Sequence, residues 1–207
     1  MIFLGKWDSL ADDKTIQKTI DALKSNNINA IVVSSGEQAK KKDLELIPKG
    51  SEVMAMTSVT LDSLGISKEI NESGKFVSVR NKLMGFKSMV PNLEMLRLGS
   101  SPEFTVGSVH AVSMDGKVFI ASNTGSQLAA YAYGSPHVIW VVGSQKIVRN
   151  ADDAMKRIFE HSLPLESERA RKAYGVAGSA VNKILAINKE INPQRLTLIF
   201  VNEKLGF

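Results

Sequence analysis

Apolar positions along the chain recur at two spacings, and their alternation predicts helices and strands in turn. Ile16, Ile20 and Leu23 recur at helical spacing, in a segment that we expect to begin with Ser9 as its N-cap and to end near Asn26. The apolar runs "INAIVVSS" and "EVMAMTS" then predict buried strands on either side of a helix in "EQAKKKDLELI". This order predicts right-handed crossovers and a mostly parallel sheet flanked by helices.

A tight turn changes the direction of the chain near its middle. Asp115 and Gly116 lie between two apolar segments, so residues 108–113 and 118–121 are predicted to pair antiparallel. After them the pattern indicates helices in "QLAAYAYG", in residues 163–174 and in "AGSAVNKILAINKEI". It also indicates a central strand in "HVIWVVG" and a last strand of the same sheet in "RLTLIFVN".

The organisation of the chain favours one unit. No segment repeats and none has the composition of a linker, so residues 1–207 are predicted to form a single α/β domain, with residues 1–26 as an N-terminal helical segment. Between Asn81 and Gly99 the pattern predicts helical pieces that Pro91 interrupts. Core packing is the expected role of the large apolar side chains there: Met84, Phe86, Met89, Leu93, Met95, Leu96 and Leu98.

The absence of some residue types excludes several kinds of site. The chain has no cysteine, which excludes disulfides, thiolate nucleophiles and cysteine-held zinc or iron–sulfur clusters. Its apolar runs are far shorter than the ~20 residues that span a bilayer, so we expect no membrane span and a cytoplasmic location. The formal net charge of +5 suits a small anionic ligand, and no motif indicates nucleic-acid binding.

Two strand-to-helix turns carry the polar groups from which we predict a binding site. At the carboxyl ends of strands in α/β sheets, such turns present hydroxyl groups and free backbone N–H groups to a ligand. We therefore expect an anion there, such as a phosphate, a carboxylate or a pyrophosphate, although the same residue types also cap helices that bind nothing. The predicted ligand-binding residues are Thr57, Ser58 and Thr60 in one turn, Asn123, Thr124, Gly125 and Ser126 in the other, and Lys146.

Candidate catalytic groups are few. His110, on the first arm of the predicted hairpin, is a candidate acid or base because imidazole titrates near neutrality. Asp62, just after the first turn, is the other candidate. His137 and His161 add no spacing typical of a metal site, and neither turn matches a nucleotide-binding loop. The sequence thus predicts no metal and indicates no particular cofactor.

Three segments together resemble a known family. "GSEVMAMTSVTLDSLGI", "MDGKVFIASNTGSQLAAYAYGSPHVIWVVGSQKIV" and "LTLIFVNEKLGF" look like the LUD domain family, which includes lactate utilisation protein C. The resemblance implies a fold similar to ribose-5-phosphate isomerase and the CoA transferases, with the substrate over the two turns. It also implies a place in lactate oxidation beside partner proteins that carry iron–sulfur clusters, and related folds suggest a homodimer.

This sequence differs from many members of that family at positions that concern the ligand and the iron–sulfur cluster. Many relatives have a glycine-rich turn where this chain has residues 122–126, and some have a cysteine-rich segment before the last strand, where this chain has no cysteine. No glutamate is placed as the nucleophile of a CoA transferase. Two hypotheses follow: a non-redox component of lactate or related organic-acid utilisation that binds a small anion, or an enzyme acting on a phosphorylated sugar or an acyl-CoA. An interaction domain with a vestigial pocket is the third possibility.

Overall fold

The computed structural model describes residues 6–87 and 90–207, which form strands and helices in alternation. The strands are β1 Asn29–Val33, β2 Glu52–Ala55, β3 Val77–Ser78, β4 Phe104–Gly107, β5 Ala111–Ser113, β6 Val118–Ser122, β7 His137–Gly143, β8 Ile147–Val148, β9 Lys183–Ile187 and β10 Leu196–Val201. The α-helices are α1 Asp13–Ser25, α2 Gly36–Glu45, α3 Val59–Ser63, α4 Ile66–Glu72, α5 Val79–Met84, α6 Leu93–Ser100, α7 Ala151–Arg157 and α8 Leu163–Tyr174. Shorter helical turns are Ala130–Gly134, Ser144–Lys146 and Ile158–Ser162.

The larger of the two sheets is parallel throughout. Its six strands lie in the order β1-β10-β7-β4-β2-β3, and each neighbouring pair is parallel. Parallel neighbours need a crossover connection, and helices supply it at most steps, which is the arrangement that the sequence pattern predicts. The predicted fold class, an α/β domain with a mostly parallel sheet flanked by helices, is confirmed.

Alternating side chains of β7 fill two separate layers of the core. Val138, Trp140 and Val142 pack in one cluster with apolar side chains of α1, whereas Ile139 and Val141 pack in another with side chains of α2, α3 and α4. A central strand buried on both faces needs a continuous apolar run, and "HVIWVVG" provides one. Truncating the fully buried Trp140 to alanine should cost about 3–5 kcal/mol of the free energy of unfolding.

The smaller sheet has four strands in the order β8-β5-β6-β9 and mixed directions. The predicted hairpin is confirmed, because β5 and β6 pair antiparallel with Ala111 opposite Phe119. One face of this sheet shares the core cluster of α1, and the other packs with Ala154 of α7 and Ile158. The smaller sheet therefore lies between the larger sheet and α7.

The helix predicted in residues 177–191 is wrong. Lys183–Ile187 forms β9, which pairs antiparallel with β6 from Val118 opposite Ile187 to Ser122 opposite Lys183. Local helix propensity favours this alanine- and lysine-containing segment as a helix, but pairing with the exposed edge of β6 overrides that preference.

Two further expectations need correction. Asp12 rather than Ser9 caps α1, because its carboxylate accepts a hydrogen bond from the Thr15 N–H at 2.7 Å. The apolar stretch around α6 is not core, since Met84, Leu93 and Leu96 are exposed and α6 has no buried residue. Met89, which we expected in the same core, lies outside the described residues.

The carboxyl ends of four parallel strands meet at one edge of the larger sheet. Because β2, β4, β7 and β10 are parallel, the segments that follow them lie close together, beside the end of β6 from the smaller sheet. This edge positions the candidate site. Among the helices of the described residues, none combines the length and the apolar character needed to cross a membrane.

Candidate functional site

A cavity of about 410 Å³ lies at this edge, between the two sheets and α8. Its size is within the range of pockets that hold small molecules, roughly 300–1,000 Å³. The polar residues that line it include Thr57, Ser58, Thr60, Asp62, Ser108, His110, Ser122, Thr124, Lys146, Ser162, Glu166 and Arg169. The structure thus brings together most of the residues that the sequence predicts for a site, although they come from distant parts of the chain.

The first turn, residues 57–60, has its hydroxyl groups held from several directions. The Ser58 hydroxyl accepts a hydrogen bond from the Leu61 N–H at 3.4 Å and caps α3. The Thr57 hydroxyl accepts one from Arg80 at 3.1 Å. Thr60 is buried and donates to the Leu205 carbonyl at 3.1 Å. Capping and cavity lining therefore occur in the same turn.

Lys146 is the central basic group of the cavity. It is only 2 % exposed, and its Nζ donates to the Ser108 hydroxyl at 3.1 Å and to the Thr60 hydroxyl at 3.3 Å. Within residues 6–87 and 90–207, no carboxylate lies within ion-pair distance of it. Burial, and then the positive charge of Arg157, lower the pKa of Lys146 well below that of an ordinary lysine.

The end of β7 determines where Lys146 lies. After Gly143 the chain enters the short helical turn Ser144–Lys146, in which Lys146 is buried. A side chain at position 143 would come within 2.5 Å of the Glu203 carbonyl oxygen, so only glycine lets β7 and the C-terminal segment approach this closely. The turn that carries Lys146 thus starts from a point of close backbone packing.

Arg157 is a second buried cation, behind the cavity wall. It is fully buried and donates to the His110 carbonyl and to the Ser162 hydroxyl, two residues that line the cavity. Its Nε and Nη2 have no hydrogen-bond partner in the described part of the chain. Burial lowers the pKa of Arg157 to about 10, although the Asp8 carboxylate raises it in part. Asp8 itself pairs with Lys204 at 2.9 Å.

His110 is a neutral hydrogen-bonding group in this geometry. Its Nδ1 accepts a hydrogen bond from the Ala121 N–H at 3.1 Å, which leaves the ring proton on Nε2. Burial, Lys146 and Arg157 lower the pKa of His110 to about 3. The imidazole is therefore uncharged near neutral pH, so the predicted acid or base role of His110 would need a bound ligand that raises this pKa.

The second turn, residues 122–126, mostly bonds to itself and to β9. The Ser122 hydroxyl accepts from the Gly125 N–H at 2.9 Å, and Thr124 donates to the Ser126 hydroxyl at 3.1 Å. Asn123 accepts from the side chain of Asn182, the residue just before β9, at 2.7 Å. Ser122 and Thr124 line the cavity, whereas Asn123, Gly125 and Ser126 are not among its lining residues.

The outer wall contains a charged pair that sequence reasoning missed. Arg169 of α8 binds the Glu166 carboxylate through two nitrogens, both at 2.7 Å, and the pair lines the same cavity as Asp62. Asp62 is exposed on α3. Arg157 and Ser108 were also missed. The buried Ala154, three residues before Arg157 and on the same helical face, was the signal of its buried side.

Positive charge and hydroxyl groups thus converge on one cavity. Two buried basic groups, a neutral imidazole and the hydroxyl groups of the first turn can accommodate a small anion or a polarised carbonyl group. Among the described residues, no three acidic or histidine side chains are grouped so that they could hold a metal ion.

Comparison with known proteins agrees with this architecture. A family model described as the LUD domain matches residues 16–201 of the chain. The crystal structure of a DUF162 family protein from Deinococcus radiodurans superposes with a TM-score of 0.56 and 11 % sequence identity, over 94 % of this chain and 100 % of that one. At this identity the likeness concerns the fold alone. A comparison with curated protein sequences finds no match.

Proposed function

Because the chain belongs to the LUD domain family, as the resemblance of its sequence predicts, we propose that it binds a small organic anion as a component of lactate or related organic-acid utilisation. Membership of this family supports a role related to lactate utilisation. The cavity at the strand ends supplies the binding site of the proposal, with Lys146 as its main charged group.

One observation carries the proposal: two buried basic side chains at the cavity have no ion-pair partner in the described residues. Lys146 is 2 % exposed and Arg157 is fully buried. An uncompensated buried charge is costly, and burial together with the positive charge of Arg157 disfavours the charged form of Lys146 while no ligand is bound. A bound anion would supply the missing countercharge, which gives the site its preference for negative ligands.

Hydrogen-bond donors around the cations give the ligand a second set of contacts. In the proposed complex the Ser108 hydroxyl and the Nε2–H of His110 donate to ligand oxygens, while Lys146 supplies the charge. These groups suit a carboxylate with a neighbouring oxygen, because each oxygen can then accept from a fixed donor. Lactate and other small hydroxy acids have this chemistry.

In this proposal a partner protein, and not this chain, carries out any electron transfer. Oxidation of a hydroxy acid to an oxo acid releases two electrons, and the chain has no cysteine to hold an iron–sulfur cluster. A partner protein would carry the redox group, and this chain would contribute the binding of the anion.

A sugar phosphate or an acyl-CoA is the second candidate ligand. Asp62 lines the same cavity as Lys146, so a carboxylate and a cation face one space. In an isomerase-like reaction Asp62 would move a proton while Lys146 and the hydroxyl groups hold the phosphate. The same binding experiment separates this candidate from a small hydroxy acid.

Thermal-shift measurements test the binding site. The purified protein is heated with lactate, pyruvate, phosphate, ribose 5-phosphate and acetyl-CoA in turn, and a true ligand at a hundredfold excess over its Kd should add about 2.7 kcal/mol of stability. Lys146→Met should lose this gain, whereas Lys183→Met, at a lysine that bonds to the second turn, should keep it. Stabilisation that survives in Lys146→Met, or none in the unmodified protein, would contradict the proposed site.

A further inference from the structure

The amine of Lys146 has the surroundings of a nucleophile. Its Nζ has two hydrogen-bond partners, the hydroxyl groups of Ser108 and Thr60, and all three residues line the cavity. Two donated hydrogen bonds and the bond to Cε occupy three of the four tetrahedral positions of the nitrogen. The fourth position holds the lone pair when the amine is neutral, and a lone pair next to a cavity can attack a ligand.

The environment favours the neutral amine. Lys146 is buried, no carboxylate of the described residues lies within ion-pair distance, and Arg157 adds positive charge nearby. Its pKa is lowered for these reasons. Desolvation beside another cation is a recognised way to make a lysine nucleophilic at neutral pH.

We propose that Lys146 forms a reversible imine with the carbonyl group of a small oxo acid that occupies the cavity. This inference rests on the proposed function, since it takes the same cavity and the same anion-binding groups. It specifies the ligand class further: a small carboxylate that also bears a ketone or aldehyde carbonyl.

The hydroxyl groups around Lys146 complete the chemistry. The nitrogen attacks the carbonyl carbon, a C–N bond forms, and one nitrogen proton passes to the former carbonyl oxygen to give a carbinolamine. Loss of water, made from that hydroxyl group and the second nitrogen proton, leaves the imine, and water reverses the reaction. Electrons balance without an oxidant or reductant.

Ser108 is the group placed to relay the proton. Thr60 donates its own hydroxyl hydrogen to the Leu205 carbonyl at 3.1 Å, so its oxygen can only accept from Lys146. The Ser108 hydroxyl accepts from Lys146 at 3.1 Å and, within the described chain, donates to no side chain or carbonyl. It can therefore take a proton from nitrogen while it gives its own to the ligand oxygen.

Charge selects an acid rather than a neutral ketone. Arg157 keeps its positive charge near neutral pH, since its pKa is about 10, and it contacts two residues of the cavity wall, His110 and Ser162. If the ligand carboxylate lies at that wall, the carbonyl group next to it faces Lys146.

Reductive trapping tests the imine. The full chain is incubated with pyruvate and sodium cyanoborohydride, which reduces an imine to a stable secondary amine, and peptide mass mapping locates the adduct. We expect one adduct per chain on Lys146, its loss in Lys146→Met, and its retention in Lys183→Met. Ser108→Ala should slow trapping while Lys146 remains the modified residue.

Two outcomes would overturn the inference. Adducts spread over exposed lysines at the same rate as Lys146 would show that its amine has no special reactivity. Equal trapping of acetone, a neutral ketone, would contradict the selection of an acid.

A binding measurement separates this inference from the proposed function. Lactate has no carbonyl group besides its carboxylate, so it should stabilise the protein and slow trapping by pyruvate without forming an adduct. Stabilisation by lactate and pyruvate without trapping would overturn the imine and leave anion binding intact. Trapping at Lys146 with no stabilisation by lactate or phosphate would instead support the imine and contradict the general anion site.

Discussion

The two polar turns have similar residues but different partners. The first turn, residues 57–60, follows β2 of the parallel sheet and contacts Lys146 through Thr60. The second turn, residues 122–126, lies at the end of β6 of the smaller sheet and is bonded to itself, to Asn182 and to Lys183 of β9. Similar turn residues therefore have different surroundings, because only the first turn bonds to a buried basic side chain.

The largest expected difference between the turns comes from Lys146, which bonds to the first turn and should make anion binding depend on pH. The lowered pKa of Lys146 means that, above this pKa and below that of an ordinary lysine, binding of an anion must take up a proton. Affinity for lactate should then fall with rising pH, by at most about tenfold per pH unit, and should be independent of pH below that range.

Calorimetry in two buffers of different ionisation enthalpy measures this proton uptake. Binding of one anion should take up at most one proton. The Lys183→Met variant should take up the same number of protons as the unmodified protein. Affinity that stays constant up to pH 10, near the ordinary pKa of a lysine of ~10.4, would remove Lys146 and the first turn from the site.

A matched pair of threonine substitutions compares the turns directly. Thr60→Val removes the hydroxyl group that bonds both Lys146 and the Leu205 carbonyl in a buried position, so it should cost about 1–3 kcal/mol of unfolding free energy. Thr124→Val, on the exposed second turn, should change it by less than about 0.5 kcal/mol. Urea denaturation measures both, and equal costs would contradict the difference between the turns.

A glycine substitution tests whether the second turn is structural. Gly125 has φ +88°, and an added Cβ would lie 2.6 Å from Cδ of Lys183, so Gly125→Ala should cost about 1–2 kcal/mol. Gly175→Ala is the control. Gly175 has φ +68° with open space around it, so this substitution measures the backbone strain without a steric clash. Both variants should bind lactate as the unmodified chain does once folded. Loss of binding in Gly125→Ala alone would assign the second turn to the site.

The smallest effect is expected at Ser126. Among the described residues its hydroxyl group hydrogen-bonds only to Thr124 of the same turn, and Ser126 does not line the cavity, so Ser126→Ala should change stability by less than about 0.5 kcal/mol. Ser58→Ala should cost more, about 0.5–2 kcal/mol, because it removes the cap of α3. Thermal unfolding with and without lactate checks both, and lost binding in Ser126→Ala would reverse the comparison.

Local patterns predicted most elements of the fold and failed where pairing was distant. The apolar run of β7 and the Asp115-Gly116 turn depend on neighbouring residues, and both predictions are confirmed. The segment of β9 has helix-forming residues, and only its pairing with β6, some sixty residues earlier, makes it a strand. The exposed apolar side chains of α6 show the same limit, since helical spacing does not say which face a neighbour covers.

The sequence by itself determined the alternation of strands and helices, the class of fold and the absence of cysteine chemistry, because periodicity and composition are local properties. It also singled out Lys146 and the first turn as candidates. Only the tertiary structure decided that Lys146, Ser108 and Thr60 meet in one cavity with Arg157 buried behind it. Strand order sets these contacts, and strand order arises from packing between segments that lie far apart in the chain.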